Sequence, residues 1–293
     1  MVVNKRTKSL SHGRPPRAQV QERMSSQQSR TIIRTHHRLQ KEHAAAIRKG
    51  DVETAERVSE SIEKNGGLKV YQAASKQGQS KDRGGDSSRV LVEWLQQAKL
   101  LGPKASHSEE GSGGHVAPYR LLEVGALSTT NEISQYPQTI HVTRIDLNSQ
   151  GPGIQKQDFM ERPLPTTSAD QFDIVSLSLV LNYVPDPVGR GEMLKRIAQF
   201  LRKLEAPHSG TKPVLPALFF VLPLPCVENS RYLDEELLLR IMTNLGFDLT
   251  NNKATAKLCY YLFTSTGEGN GAKTGKKSVR HGSGMNNFCI VVE

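Results

Sequence analysis

An α/β fold built on a doubly wound, mostly parallel sheet is predicted for residues 118–293, with a helical extension before it. Three observations predict it. Strand-like apolar runs alternate with helical ones after Pro118, the first run ends on a glycine, and the second ends on an aspartate 21 residues beyond that glycine. Such alternation calls for helices on both faces of the sheet, with nucleoside-sized ligands at the carboxyl ends of its strands.

The chain is long enough for one α/β core, but it is polar, with 36% hydrophobic residues and a mean hydropathy of -0.48. No run of 18 apolar residues exists, so no membrane helix is expected. The first ten residues, MVVNKRTKSL, lack the apolar stretch of a secretory signal, which sets the expectation of a reducing compartment. Cys226, Cys259 and Cys289 are dispersed without metal-ligand spacing and read as packing residues. The net charge of +10 is concentrated: residues 1–50 carry twelve Lys and Arg against Glu22 and Glu42, and the rest of the chain is balanced. A basic arm on a neutral body suits contact with a phosphate backbone, because each neutralised phosphate releases counterions; a solubilising tail or a nuclear address explains the same charge.

Residues 1–29 hold few apolar anchors and are expected to be a disordered basic tail, followed by a helical extension and linker over 30–117. One helix is predicted from Arg30 to Lys49, closed by Gly50, and a second from Val52 to Lys64, with Asp51 as its cap and Asn65-Gly66-Gly67 ending it. His36, His37 and His43 share the first helix without the one-turn pairing that a metal site needs. The polar stretch Gln72 to Ser88 reads as a connection, Arg89 to Leu101 as a helix, and the Gly/Ser/Pro-rich stretch from Gly102 to Pro118 as a linker. Strands follow at Tyr119–Val124, Ile140–Ile145, Gln155–Phe159, Phe172–Leu177 and Ala217–Leu222, with helices at Met193–Leu204 and Asp234–Leu245. Lys257–Thr264 and Asn287–Val292 complete a sheet of seven strands; with no helix between them, these last two are expected to pair antiparallel. Gly267 to Gly284 is expected to be a mobile connection; its GNGAKTGKKS fails as a phosphate loop, because Asn270 and Lys277 stand where glycine and Ser/Thr are required.

The candidate site lies at the strand tips. Gly125 follows the first strand where the backbone turns close to a ligand, and Glu123 precedes it by two residues. Asp146 ends the second strand and can accept hydrogen bonds from both hydroxyls of a ribose. Leu127 and Thr130 stand where a pyrophosphate-binding turn needs glycine, which tilts the ligand from NAD toward S-adenosyl-L-methionine. Asp158 and Phe159 close the third strand with an acceptor for an adenine amino group and an aromatic ring for packing, or equally a surface carboxylate and a core ring.

These residues carry a family resemblance. LLEVGAL resembles the first motif of class I S-adenosylmethionine-dependent methyltransferases, IDLN resembles the acidic end of their second strand, and FDIVSLSLVLNYVPDP their fourth strand and the turn after it. The longer blocks GGLKVYQAASKQGQSKDRGGDSSRVLVEWL, SLSLVLNYVPDPVGRGEML and LPLPCVENSRYLD are similar to the fungal 25S ribosomal RNA adenine-N1 methyltransferase family, over roughly residues 30–293. The resemblance implies a Rossmann-like domain, methylation of adenine N1 in large-subunit ribosomal RNA, S-adenosylmethionine as cofactor, and work in the nucleus and nucleolus. It makes Gly125 and Asp146 cofactor contacts, with Glu123, Asp158 and Phe159 as neighbours. Ala126 and Leu127 depart from the first motif, where further glycines are usual.

Adenine N1 is nucleophilic in its neutral form, so such an enzyme has to position a base rather than deprotonate it. Asn182 and Tyr183, after the fourth strand, are the candidates for contact with the base, as an edge-binding amide and a stacking ring. The alternative is a non-catalytic S-adenosylmethionine sensor acting through protein partners, as animal relatives of the family are thought to act in the TOR pathway. The cofactor half alone leaves protein or ribose methylation open as well.

Overall fold

The computed structural model describes residues 24–78, 85–102, 117–149, 151–203 and 213–293. The expected tail falls largely outside the described residues, as does most of the linker after Gly102. No described helix is long and apolar enough to cross a membrane.

Helix α1 (Ser26–Lys49) starts on a capping box, in which the Ser25 hydroxyl accepts from Gln28 N while the Gln28 side chain accepts from Ser25 N. It ends at Gly50, which takes the left-handed conformation that only glycine adopts without strain. Asp51 then caps α2 (Val52–Lys64) by accepting from Thr54 N at 3.0 Å. A third helix, α3 (Gly67–Gly78), was not expected, and its second half takes in the start of the Gln72 to Ser88 stretch read as a connection. Gly66 and Gly67 end α2 and also start α3, and α3 buries Tyr71, Gln72 and Ala74. Helix α4 (Ser88–Gln97) buries Leu91, Val92, Trp94 and Leu95.

The sheet has seven strands: β1 (Tyr119–Val124), β2 (Ile140–Asp146), β3 (Gln155–Lys156), β4 (Ile174–Ser178), β5 (Ala217–Pro223), β6 (Phe247–Ala254) and β7 (Leu258–Ser265). Their order is β3-β2-β1-β4-β5-β7-β6. β7 runs antiparallel to both β5 and β6, while the pairs among β1 to β5 are parallel. Helices α5 (Pro187–Phe200) and α7 (Glu235–Asn244) connect the later strands, and the short α6 (Pro225–Glu228) follows β5.

Seven strands with an antiparallel last strand were expected, but one member differs. Asn287–Val292 is not a strand of the sheet; β6 takes its place as partner of β7. The terminal segment imitates a strand because it is a short apolar run, with Phe288, Cys289, Ile290 and Val292 all buried, yet it packs over α5. There Val291 N donates to Pro187 O at 3.0 Å, and a Cβ at Gly191 would lie 1.9 Å from Val291 O. β6 escapes detection because it is an edge strand: only Phe247 is buried, and Asp248, Thr250, Asn251, Asn252 and Lys253 break the apolar alternation. The Gly267–Gly284 connection is held at several points, including hydrogen bonds from Thr274 N to Val292 O and from Arg280 to Val227 O.

Alternate side chains along the strands fill two cores. Leu122, Val175, Leu177, Phe220 and Leu222 face α5 and α7, while Leu121, Ile174, Phe219 and Val221 face α4. Cys259 and Cys289 are buried and Cys226 is half-buried; all three are free thiols, which fits their role as packing residues. Among the described residues no cluster of His, Cys, Asp and Glu could hold a metal ion. The strand order reverses between β1 and β4, and this switch point opens the crevice in which the functional residues meet.

Candidate functional site

Two adjoining recesses of about 320 Å³ each meet at Val124, Gly125, Leu127 and Ser178, on the tips of β1 and β4. Gly125 has φ +75°, and a Cβ there would stand 2.5 Å from Val180 Cγ2. The position therefore requires glycine both for its backbone and for the close approach of the loop after β4.

The first recess holds five of the expected residues together: Gly125, Asp146, Asp158, Phe159 and Tyr183 all line it. Asp146 is 9% exposed, and burial pushes its carboxyl above the usual range. Its Oδ1 accepts from Asn148 N at 2.8 Å and from Gln72 Nε2 at 2.7 Å, so the described bonds leave Oδ2 available to an incoming hydroxyl. Asn148 Nδ2 in turn donates to Gln72 Oε1 at 2.6 Å, which locks the amide of Gln72 in one orientation. Asp158 accepts from Met160 N at 2.7 Å, so it shapes a turn as well as facing the recess. Phe159 is buried against Phe200, and its carbonyl accepts from Arg196 Nε at 3.0 Å.

The roof of this recess comes from the extension. His36, His37 and Gln40 of α1, with Leu68, Tyr71, Gln72 and Ser75 of α3, line it opposite the strand tips. An aromatic cluster forms at one end. His36 stacks on Tyr71 with 4.5 Å between ring centroids, His37 meets Tyr183 edge-on at 4.5 Å, and Tyr71 meets Tyr183 at 5.0 Å. Burial, followed by the positive charges of Lys41, His36 and Arg190, brings the His37 imidazole down to about 4, so it is neutral at physiological pH. Its Nε2 is buried without a hydrogen-bond partner among the described residues.

Tyr183 lines the recess beside Val184 and Pro185. Asn182 does not line it, and its Oδ1 is buried without a partner among the described residues. The loop carrying both is clamped by Arg190 of α5, which is 1% exposed and lies over the Phe288 ring at 4.4 Å. Arg190 donates from Nε to Val184 O at 2.8 Å and from Nη1 to Cys289 O at 2.6 Å. Asp186 caps α5 by accepting from Gly189 N at 2.8 Å, and it also pairs with Arg48 of α1.

The second recess is polar. Glu123 lies there with Lys76, Asp86, Arg89 and Glu132. Burial pushes the Glu123 carboxyl from 4.5 up to about 7, against the opposing pull of Arg144, whose Nε is 3.3 Å from Oε2, and of Asn131, which donates to Oε1 at 2.9 Å. The Asp86-Ser87-Ser88 segment ties this wall together: Ser87 Oγ lies 2.8 Å from Ser178 Oγ, and Asp86 accepts from Ser88 Oγ at 2.8 Å and from Glu132 N.

Residues 56–290 match the model of the family described as "25S rRNA (adenine(2142)-N(1))-methyltransferase, Bmt2". The chain belongs to this family. A relative from Saccharomyces cerevisiae, named 25S rRNA (adenine(2142)-N(1))-methyltransferase, is 39% identical over 79% of the chain and 61% of its own length. One from Schizosaccharomyces pombe, named 25S rRNA adenine-N(1) methyltransferase, is 36% identical over 88% of the chain and 89% of its own length. The chain thus spans somewhat less than two thirds of the Saccharomyces relative. Tyr71, Gln72, the Asp86-Ser87-Ser88 segment and the Asn182-Tyr183 loop, which shape the two recesses, all fall inside the family match.

His37, Tyr71 and Gln72 were not among the residues expected at the site. Tyr71 and Gln72 lie within the GGLKVYQAASKQG block, so that long match was the available signal. His37 carried none beyond its position in a histidine pair, since only the fold brings α1 over the strand tips.

Proposed function

We propose that the chain is an S-adenosylmethionine-dependent methyltransferase that modifies N1 of an adenosine in large-subunit (25S) ribosomal RNA. The family carries the choice of reaction, and one observation carries the choice of site: Asp146, buried at the switch point beside Gly125, keeps an oxygen facing a nucleoside-sized recess. The residues present fit the cofactor. Asp146 suits the ribose hydroxyls, Asp158 the adenine amino group and Phe159 the ring; the adjoining polar recess offers Lys76 and Arg89 to a carboxylate and Glu123 to an ammonium.

When bound, S-adenosylmethionine supplies an activated methyl group on a cationic sulfur. Transfer of that methyl to the N1 lone pair would leave the bonding pair with sulfur and the positive charge on the base. No side chain has to remove a proton before this attack, so the chain's work is to position, desolvate and stabilise. Tyr183 and Tyr71 offer ring faces to a base that becomes cationic, and the neutral His37 places no competing charge beside it. Asn182 is the second proposed base contact; its Oδ1 is buried outside the recess lining and without a partner among the described residues, so it would meet the adenine amino group only once the loop after β4 turns it inward. The reading places the enzyme in the nucleus and nucleolus, where pre-ribosomal RNA is made available, and makes it RNA-binding and part of ribosome biogenesis. The sensor alternative gains no support, since both relatives are named as methyltransferases.

The test is to incubate the chain with methyl-labelled cofactor and unmodified large-subunit RNA, digest to nucleosides and identify the product. Label in 1-methyladenosine is expected. Label in another nucleoside would refute the assignment to N1, and no label in RNA would refute the proposal.

A further inference from the structure

The sequence locates the positive charge in residues 1–50, and the structure shows how part of it is arranged. Helix α1 carries Arg30, Arg34, Arg38, Lys41, Arg48 and Lys49 against the single acid Glu42. At 3.6 residues per turn, Arg30, Arg34, Arg38, Lys41 and Arg48 fall within roughly 80° of one another, along about 27 Å of helix. Arg30, Arg34, Arg38 and Lys41 are exposed. Arg38 approaches Glu42 only at 3.9 Å on the open surface, where such a pair contributes little. Arg30, Arg34 and Lys41 have no acidic partner among the described residues.

The stripe is placed relative to the reaction site. His37 lies roughly 20° from it around the helix, and it turns into the recess together with His36 and Gln40. Arg48 at the far end pairs with Asp186, directly after Pro185 on the recess wall. The row of cations thus follows the edge of the cavity that holds the aromatic cluster. Unpaired like charges repel one another along a helix, and this spacing is unfavourable unless an anion neutralises it. Solubility alone does not require one face and one edge.

We propose that the α1 stripe of Arg30, Arg34, Arg38 and Lys41 is the docking track for the sugar–phosphate backbone of the RNA strand whose base enters the recess beside His37 and Tyr183. The inference rests on the reading of the chain as an RNA methyltransferase, and it assigns strand binding to a folded helix of the extension. α1 then has two faces with two tasks, one closing the cofactor recess and the other holding the polyanion at its rim. The family match begins at residue 56, so the stripe precedes it.

The decisive experiment uses the full chain and a fluorescent single-stranded RNA oligonucleotide containing adenosine, with binding measured across a salt series. The triple variant Arg30→Gln/Arg34→Gln/Arg38→Gln should lower the slope of log affinity against log salt by about 2, since each phosphate contact on a single strand contributes about 0.7. The variant Arg30→Lys/Arg34→Lys/Arg38→Lys should keep the slope within about half a unit of wild type, and Arg57→Gln/Lys64→Gln on α2, also a loss of surface charge, should leave it unchanged. In methylation assays the glutamine triple variant should raise KM for RNA at least tenfold, with kcat and cofactor affinity near wild type. A wild-type slope in the glutamine variant overturns the proposal, as does an equal drop in the α2 control. Loss of methyl transfer to RNA in the wild type itself refutes the proposed function and is read separately from the slope.

Discussion

Gln72 of α3 donates a 2.7 Å hydrogen bond to Asp146 at the tip of β2, and both side chains are buried. The bond joins the helical extension to the residue expected to hold the cofactor ribose, so the two halves of the chain form one site. Because Gln72 and Asn148 both occupy Oδ1, they orient the carboxylate and leave its other oxygen facing the recess. Gln72→Ala should weaken S-adenosylmethionine binding about tenfold, equivalent to about 1.4 kcal/mol, as loss of a bond to a charged partner implies. Calorimetric titration checks this; unchanged or tighter binding would mean that Gln72 competes with the ribose.

Gly125→Ala places a methyl group 2.5 Å from Val180 Cγ2 on a backbone of positive φ. We expect a loss of about 1–3 kcal/mol in stability and a loss of cofactor binding. The double variant Gly125→Ala/Val180→Ala removes the clash but keeps the backbone strain, so its melting temperature should recover only part of the loss. Full stability in the single variant would contradict the close approach.

Glu123 should make cofactor binding pH-dependent. Its carboxyl titrates at about 7 because burial disfavours the charged form. A cationic ligand in the same recess favours the carboxylate, so binding releases a proton, and affinity should rise roughly tenfold between about pH 6 and 8 before levelling off. Calorimetry in buffers of different ionisation enthalpy would reveal that proton. Glu123→Gln should abolish the dependence; a wild-type pH profile in that variant would remove Glu123 from the recess chemistry.

Tyr183, on the loop after β4, meets both His37 and Tyr71 of the helical roof edge-on. Tyr183→Ala should reduce kcat at least tenfold while cofactor affinity stays within about threefold, consistent with loss of one base-stacking face worth about 1–3 kcal/mol. Asn182→Ala should behave similarly if its buried oxygen meets the adenine amino group. Wild-type turnover in both would show that the base enters elsewhere.

Much of the fold was legible because it repeats simple periods. β4 and β5 are buried runs between turn signals, β1 and β2 are apolar runs buried in part, and the caps at Gly50 and Asp51 fall where the sequence places them. The errors have a common cause, since partners distant in sequence decide them. Phe288, Ile290 and Val292 belong to an apolar run that covers α5, and β6 is polar because its side chains after Phe247 are mostly exposed. The glycine and aspartates of the site were visible from their register along the sheet. Gln72, Tyr71 and His37 were not, because their role depends on how α1 and α3 fold back over the sheet, which no local pattern encodes.

The central claim is that the tips of β1 and β2, roofed by α1 and α3, form an adenosyl site built around Asp146. Titrating S-adenosylmethionine into the folded full chain and into Asp146→Ala tests it most directly. The account predicts a single site in the wild type and at least a hundredfold weaker binding in the variant; no heat of binding in the wild type, or equal affinity in both, would contradict it.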